Sequence, residues 1–180
     1  KIKSVYLGSL ITKEQPEGWG GYWENPAAAS VNDWEFDMTA RKFEIGGTSN
    51  YPGAVALGET LELVNEIGIE NIQSRVEELS AYCMEQLESI GATIITHKDP
   101  GRRAGIVIAR IYEDLNTERA ILKNLHAQNI FIAHRFTDYV GGYRISCQYF
   151  NNHKDIDTLV AALKEEIKKV GRAPDYKRPW

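Results

Sequence analysis

Cysteine is scarce in this chain, with only Cys83 and Cys147 among 180 residues. The two stand far apart, with neither a CxxC spacing nor an adjacent histidine, which excludes a cysteine-rich zinc module and a dense disulfide framework. A reduced, cytoplasmic protein is the reading that follows. Basic excess is missing too. Twenty-one Lys and Arg against 25 Asp and Glu leave a net charge of -4, so no broad cationic surface exists to displace counterions from a nucleic-acid backbone, and nucleic acid is not an expected partner. No apolar run approaches the roughly 20 residues needed to cross a bilayer, and the start "KIKSVYLGSL" has too short an apolar part for a secretory signal, so no membrane role is expected. His97, His126, His134 and His153 are scattered, with no pair at i, i+4 around a carboxylate, so a metal site is not expected. The chain also lacks a GxGxxG segment, a Walker-type loop and a nucleophile beside a base.

What is present suffices for a core: 43% hydrophobic and 26% charged residues mark a globular chain of one domain, or one domain plus an appendage. Residues 1–50 are irregular and aromatic, with "PEGWGGYWENPAAAS" carrying turn signals and two of the four tryptophans. The character changes at Tyr51. "YPGAVALGETLELVNEIG" places Ala54, Leu57, Leu61 and Val64 at helical spacing, with Pro52 suited to a first turn and a stop at Gly68. "IENIQSRVEELSAYCMEQLESIG" repeats the pattern through Ile72, Val76, Leu79, Cys83 and Leu87. Then "ATIITH" and "AGIVIARI" read as strands around a turn "KDPGRR". "NTERAILKNLHAQN" reads as a helix capped by Asn116 or Thr117, followed by strand "IFIAHRF", turn "TDYVGG", strand "YRISCQY" and a last helix opened by His153. The expected fold is α+β, a mostly antiparallel four-stranded sheet with helices on one face.

Two places in this layout could carry chemistry. Strand alternation sets Tyr143, Ile145 and Cys147 on one face and Arg144, Ser146 and Gln148 on the other. Arg144, just after a Gly-Gly pair, either lies on a solvent-facing sheet surface or presents its planar fork to a carboxylate. In "ARKFEIGGTSN", residues 40–50, the amides around Gly47 and the Thr48 hydroxyl either cradle an anion or belong to a helix cap, with Ser49 or Asn50 as the capping residue. His134 reads as a strand-end residue with its hydrogen bonds met, and Cys83 and Cys147 as buried small hydrophobes.

Taken together, "RKFEIGGTSN" and, about a hundred residues on, "GGYRISCQYFNNHKDIDTLVAAL" resemble the C-terminal part of the class V aminotransferase family, fold type I enzymes dependent on pyridoxal 5'-phosphate. The matching residues are Arg41, Phe43, Glu44, Gly47 and Thr48, then Arg144, Ser146, Phe150 and Asn151, with Asp155 and Asp157 ahead of the apolar helix. The resemblance implies that Gly47 and Thr48 bind the cofactor phosphate across a homodimer interface. It implies that Arg144 binds the carboxylate of a small-molecule amino acid or related amine substrate. It further implies residues 1–50 as the tail of a large cofactor-binding domain and 51–180 as the C-terminal small domain. No lysine here stands in the family's Schiff-base pattern, so the expectation is a piece of a longer enzyme, inactive alone and without a catalytic residue of its own. Where desulfurases of the family often carry a loop cysteine, this chain reads "AHRFTDYVGG". The likeness is therefore to isopenicillin N epimerase-like members rather than to cysteine desulfurases. The rival reading is a free-standing α+β module for ligand binding or protein interaction, without catalysis.

Overall fold

The computed structural model describes Glu24, Thr39 and residues 50–138 and 140–177. The chain divides into two compact units, Lys1–Leu61 and Glu62–Trp180. Helix α1 spans Tyr51–Ile67. Of the two candidate caps before it, Asn50 serves: its Oδ1 accepts from Gly53 N at 3.0 Å, satisfying one of the free N–H groups of the first turn. Gly68 then turns the chain with φ 89°, a conformation that costs a side-chain-bearing residue more.

Helix α2, Ile69–Ser89, buries Leu79, Cys83, Met84 and Leu87, the inner part of the apolar spacing read from the sequence. Strand β1 (Thr93–Ile94), a 3-10 turn at Pro100–Arg102 and strand β2 (Ile106–Arg110) follow. Helix α3, Leu115–Ala127, is capped by Asp114, whose carboxylate accepts from Asn116 N and Thr117 N. The cap thus lies two residues before Asn116, because Asp114 is the residue whose oxygens reach the free amides. Strands β3 (Ala133–Thr137) and β4 (Val140–Ser146) form a hairpin, and helix α4, His153–Val170, starts on a reciprocal capping box between Asn152 and Asp155.

All strand pairs are antiparallel, in the order β1-β2-β4-β3. Gly141 and Gly142 belong to β4, not to the preceding turn as the sequence suggested. A Cβ at Gly142 would run into Ala109 O and Arg110 Cβ, so the glycine is a requirement of close strand approach. The turn falls instead at Asp138, with φ 49°. Helix α4 packs against both α2 and α3, α2 against β1 and β2, and α3 against β3. One core runs between these helices and the sheet face that carries Ile94, Val107, Ala109, Tyr143 and Ile145. Among the described residues, no helix is long and apolar enough to cross a membrane.

Candidate functional site

The helix-covered face is closed electrostatically as well as sterically. Glu118, fully buried in α3, accepts at Oε1 from Ile111 N and Tyr112 N, both at 2.8 Å. Its Oε2 lies 3.2 Å from His134 Nε2, and the Tyr143 hydroxyl donates to its backbone oxygen at 3.0 Å. Burial pushes the Tyr143 phenol well above its ordinary pKa, so it stays a donor. His134 is therefore held in a satisfied contact at the strand, as the sequence suggested, and is spent on structure.

The two thiols are spent in the same way. Cys83 and Cys147 are free and buried, and they contact each other in the core. The hydrogen bond with Cys147, with burial added, pushes the Cys83 thiol up. The same bond holds the Cys147 thiol down.

The opposite face differs in kind. The register places Thr93, Ile106, Ile108, Arg110, Ala133, Arg135, Gly142, Arg144 and Ser146 on it. Those positions include three arginines and no carboxylate. Arg110 is engaged, donating from Nε to Tyr112 O and from Nη2 to Glu113 O, with its guanidinium 4.3 Å from the centre of the Tyr176 ring. Arg144 is half-buried between Ile108 and Ala133, its cross-strand neighbours. Among the described residues its side chain has no hydrogen bond, ion pair or ring contact. Five N–H donors in a rigid fork beside apolar neighbours favour an oxyanion, and a carboxylate can take two of them at once.

Arg144 also lines a groove of about 660 Å³. Strand β3 begins at Ala133, opposite Arg144, so β4 continues past it without a partner on that side. Residues 130–132 are held off the ladder by Ile130 N donating to Leu125 O at 3.0 Å and by a 2.9 Å contact between His126 Nε2 and Ile132 O. The gap so opened lies at the edge of the sheet, bordered by Arg144 from the outer face and by Ile145, Ile156 and Leu159 from the helix-covered face.

Of the other residues singled out from the sequence, Gly47 and Thr48 lie outside the described residues, as does the aromatic segment before them. The described residues hold no cluster of His, Cys, Asp or Glu suited to a metal ion. Sequence reasoning missed Glu118, because a glutamate in the first turns of an amphipathic helix looks like any solvated charge.

The described residues thus form an antiparallel α+β layer with an unpartnered arginine side chain on the sheet face away from the helices. Residues 8–159 match the class V aminotransferases, and the chain belongs to that family. A probable cysteine desulfurase of Xylella fastidiosa is 31% identical over 144 residues, which is 76% of this chain and 34% of that protein. An uncharacterized aminotransferase of Schizosaccharomyces pombe is 33% identical over 131 residues, 72% of this chain and 30% of that protein. The chain thus spans about a third of the length of these relatives. Two solved structures share the fold. The apo cysteine desulfurase of Thermococcus onnurineus has a TM-score of 0.70 at 16% identity, covering 93% of this chain and 40% of that one. A variant of C-DES with glycine covalently linked to its PLP cofactor has a TM-score of 0.67 at 21% identity, covering 91% and 38%.

Proposed function

We propose that this chain serves as the substrate-carboxylate-holding part of a pyridoxal 5'-phosphate-dependent enzyme that acts at the α-carbon of an amino acid, by transamination, epimerisation or lyase chemistry. The observation that carries the reading is Arg144: a half-buried guanidinium without a partner, on a sheet face that offers it no carboxylate. Such a face fits an anionic cofactor and an amino-acid carboxylate. When bound, the cofactor supplies an electron sink for the carbanion formed at the α-carbon. Arg144 supplies orientation, fixing the carboxylate at two points so that the bond to be broken is presented in one geometry. Gly47 and Thr48 are the residues that would hold the cofactor phosphate, as part of a homodimer. In this reading residues 1–50 close a large domain and residues 51–180 form the small one. Without a lysine in the family's pattern the chain is inactive by itself.

Within the family we place the chain with members that do without a cysteine nucleophile, of the isopenicillin N epimerase-like kind. Residues 133–142, from the first residue of β3 to the third of β4, contain no cysteine, and both cysteines of the chain are buried against each other in the core. Cys83 is fully buried, and Cys147, which borders the groove beside Arg144, is buried and follows the arginine strand rather than standing on the loop before it.

The test is Arg144→Ala and Arg144→Lys in the full-length enzyme. Loss of a two-point, charged contact is expected to raise KM for the amino acid about a hundredfold or more, the equivalent of a charged hydrogen-bonded pair, with Lys recovering only a small part. An unchanged KM would remove Arg144 from the site. A full-length protein that is colourless, with no absorbance band bleached by borohydride, would overturn the cofactor reading and favour a non-catalytic α+β binding module.

A further inference from the structure

The groove beside Arg144 is much larger than a carboxylate needs. Its volume of about 660 Å³ falls within the roughly 300–1,000 Å³ of pockets that hold drug-sized ligands. Cysteine, with one side-chain carbon, would leave most of it empty. Its walls are mainly aliphatic, from Ile130 and Ile132 on one side to Ile145, Ile156 and Leu159 on the other, and Phe131 stands 74% exposed at the lip.

The charged side chains along it are accounted for except one. The Asp155 carboxylate accepts from Asn152 N at 3.0 Å and from Asn151 Nδ2 at 3.2 Å. His126 is taken by Ile132 O. Of the charged side chains that line the groove, Arg144 is the one with no partner among the described residues. A cation at one end of an aliphatic trough selects a molecule with an anion at one end and an apolar body.

Building on the reading of Arg144 as the carboxylate holder, we infer that the groove receives the side chain of the substrate, an α-amino acid with an extended apolar side chain of several carbons. The contribution of the groove is to specificity: each methylene buried against these isoleucines strengthens binding by up to about fourfold, while Arg144 treats every amino acid alike.

The experiment is a nuclear magnetic resonance titration of the 180-residue chain, following the Arg144 Nε–H signal and the Ile and Leu methyls. The probes are L-2-aminooctanoate, L-alanine and n-octylamine. L-2-aminooctanoate is expected to shift Arg144 together with the methyls of Ile130, Ile145 and Leu159, and to bind at least about tenfold more tightly than L-alanine. Thr158→Trp fills the groove from an exposed position on α4. It is expected to abolish that difference and leave L-alanine binding unchanged. Equal binding of the two amino acids, with Arg144 responding to both, would overturn the side-chain inference and leave the carboxylate role standing. Octylamine matching L-2-aminooctanoate at the methyls would overturn it as well, since the trough would then work without the arginine. No response of Arg144 to either amino acid would remove the carboxylate role and the inference together.

Discussion

Glu118 and Arg144, on opposite sides of the sheet, are treated in opposite ways. On the helix-covered side a fully buried carboxylate, Glu118, collects two backbone amides and an imidazole, and a buried phenol donates to the carbonyl of the same residue. On the other side Arg144, half out of water, collects nothing among the described residues. A polar group taken inside costs stability unless it is bonded, so the first face is built for the fold. The second carries a group that the fold does not need, and such a group is where binding is to be sought.

The sharpest way to break the comparison is Glu118→Ala. It would strand two buried amides and His134, and the expected loss is about 3–5 kcal/mol of unfolding free energy, the range for breaking a buried charged network. Chemical denaturation measures it, and a loss below about 1 kcal/mol would mean that the network is dispensable.

An intermediate effect is expected at Glu166, on the inner side of α4. Burial alone would raise its pKa, but Lys169, at 2.6 Å, and Asn124, also at 2.6 Å, hold it below the ordinary value of 4.5. A carboxyl whose folded pKa is depressed adds stability above its unfolded pKa and loses it as pH falls through the folded one. Unfolding followed from pH 7 down to pH 3 should therefore steepen below about pH 4.5, and Glu166→Gln should flatten that limb. An identical acid limb in the variant would assign the pH dependence to other groups.

The smallest effect is the most telling. Arg144→Ala should change stability by less than about 1 kcal/mol, because only the packing of its stem against Ile108 and Ala133 is lost and no side-chain hydrogen bond or ion pair, even as it removes substrate affinity in the full-length enzyme. A destabilisation of 2 kcal/mol or more in the isolated chain would show that the open face is as structural as the covered one.

Much of this layout was legible before any coordinates. The i, i+3, i+4 spacing from Leu79 to Leu87 marked the buried stripe of α2, and alternation along β4 separated Tyr143, Ile145 and Cys147 from Arg144. Where the reading slipped, a local signal was ambiguous. Two adjacent glycines look like a turn, yet Gly141 and Gly142 sit inside β4 because a neighbouring strand passes too close for a Cβ. Likewise Asp114, Asn116 and Thr117 are all good capping residues, and only the path of the chain out of β2 picks Asp114.

The sequence by itself determined the helices and strands and the inner faces of α2 and β4, though not of α1, which buries none of its apolar stripe, since periodicity and turn chemistry are local properties of the chain, and its two separated motifs determined the family. Tertiary structure decided the rest. The order β1-β2-β4-β3, the burial of Glu118 beneath His134, the contact of Cys83 with Cys147 and the groove opened where β3 stops opposite Arg144 all join residues distant in the chain. Whether a charge is satisfied or left free depends on which groups fold against it, and no spacing along the sequence states that.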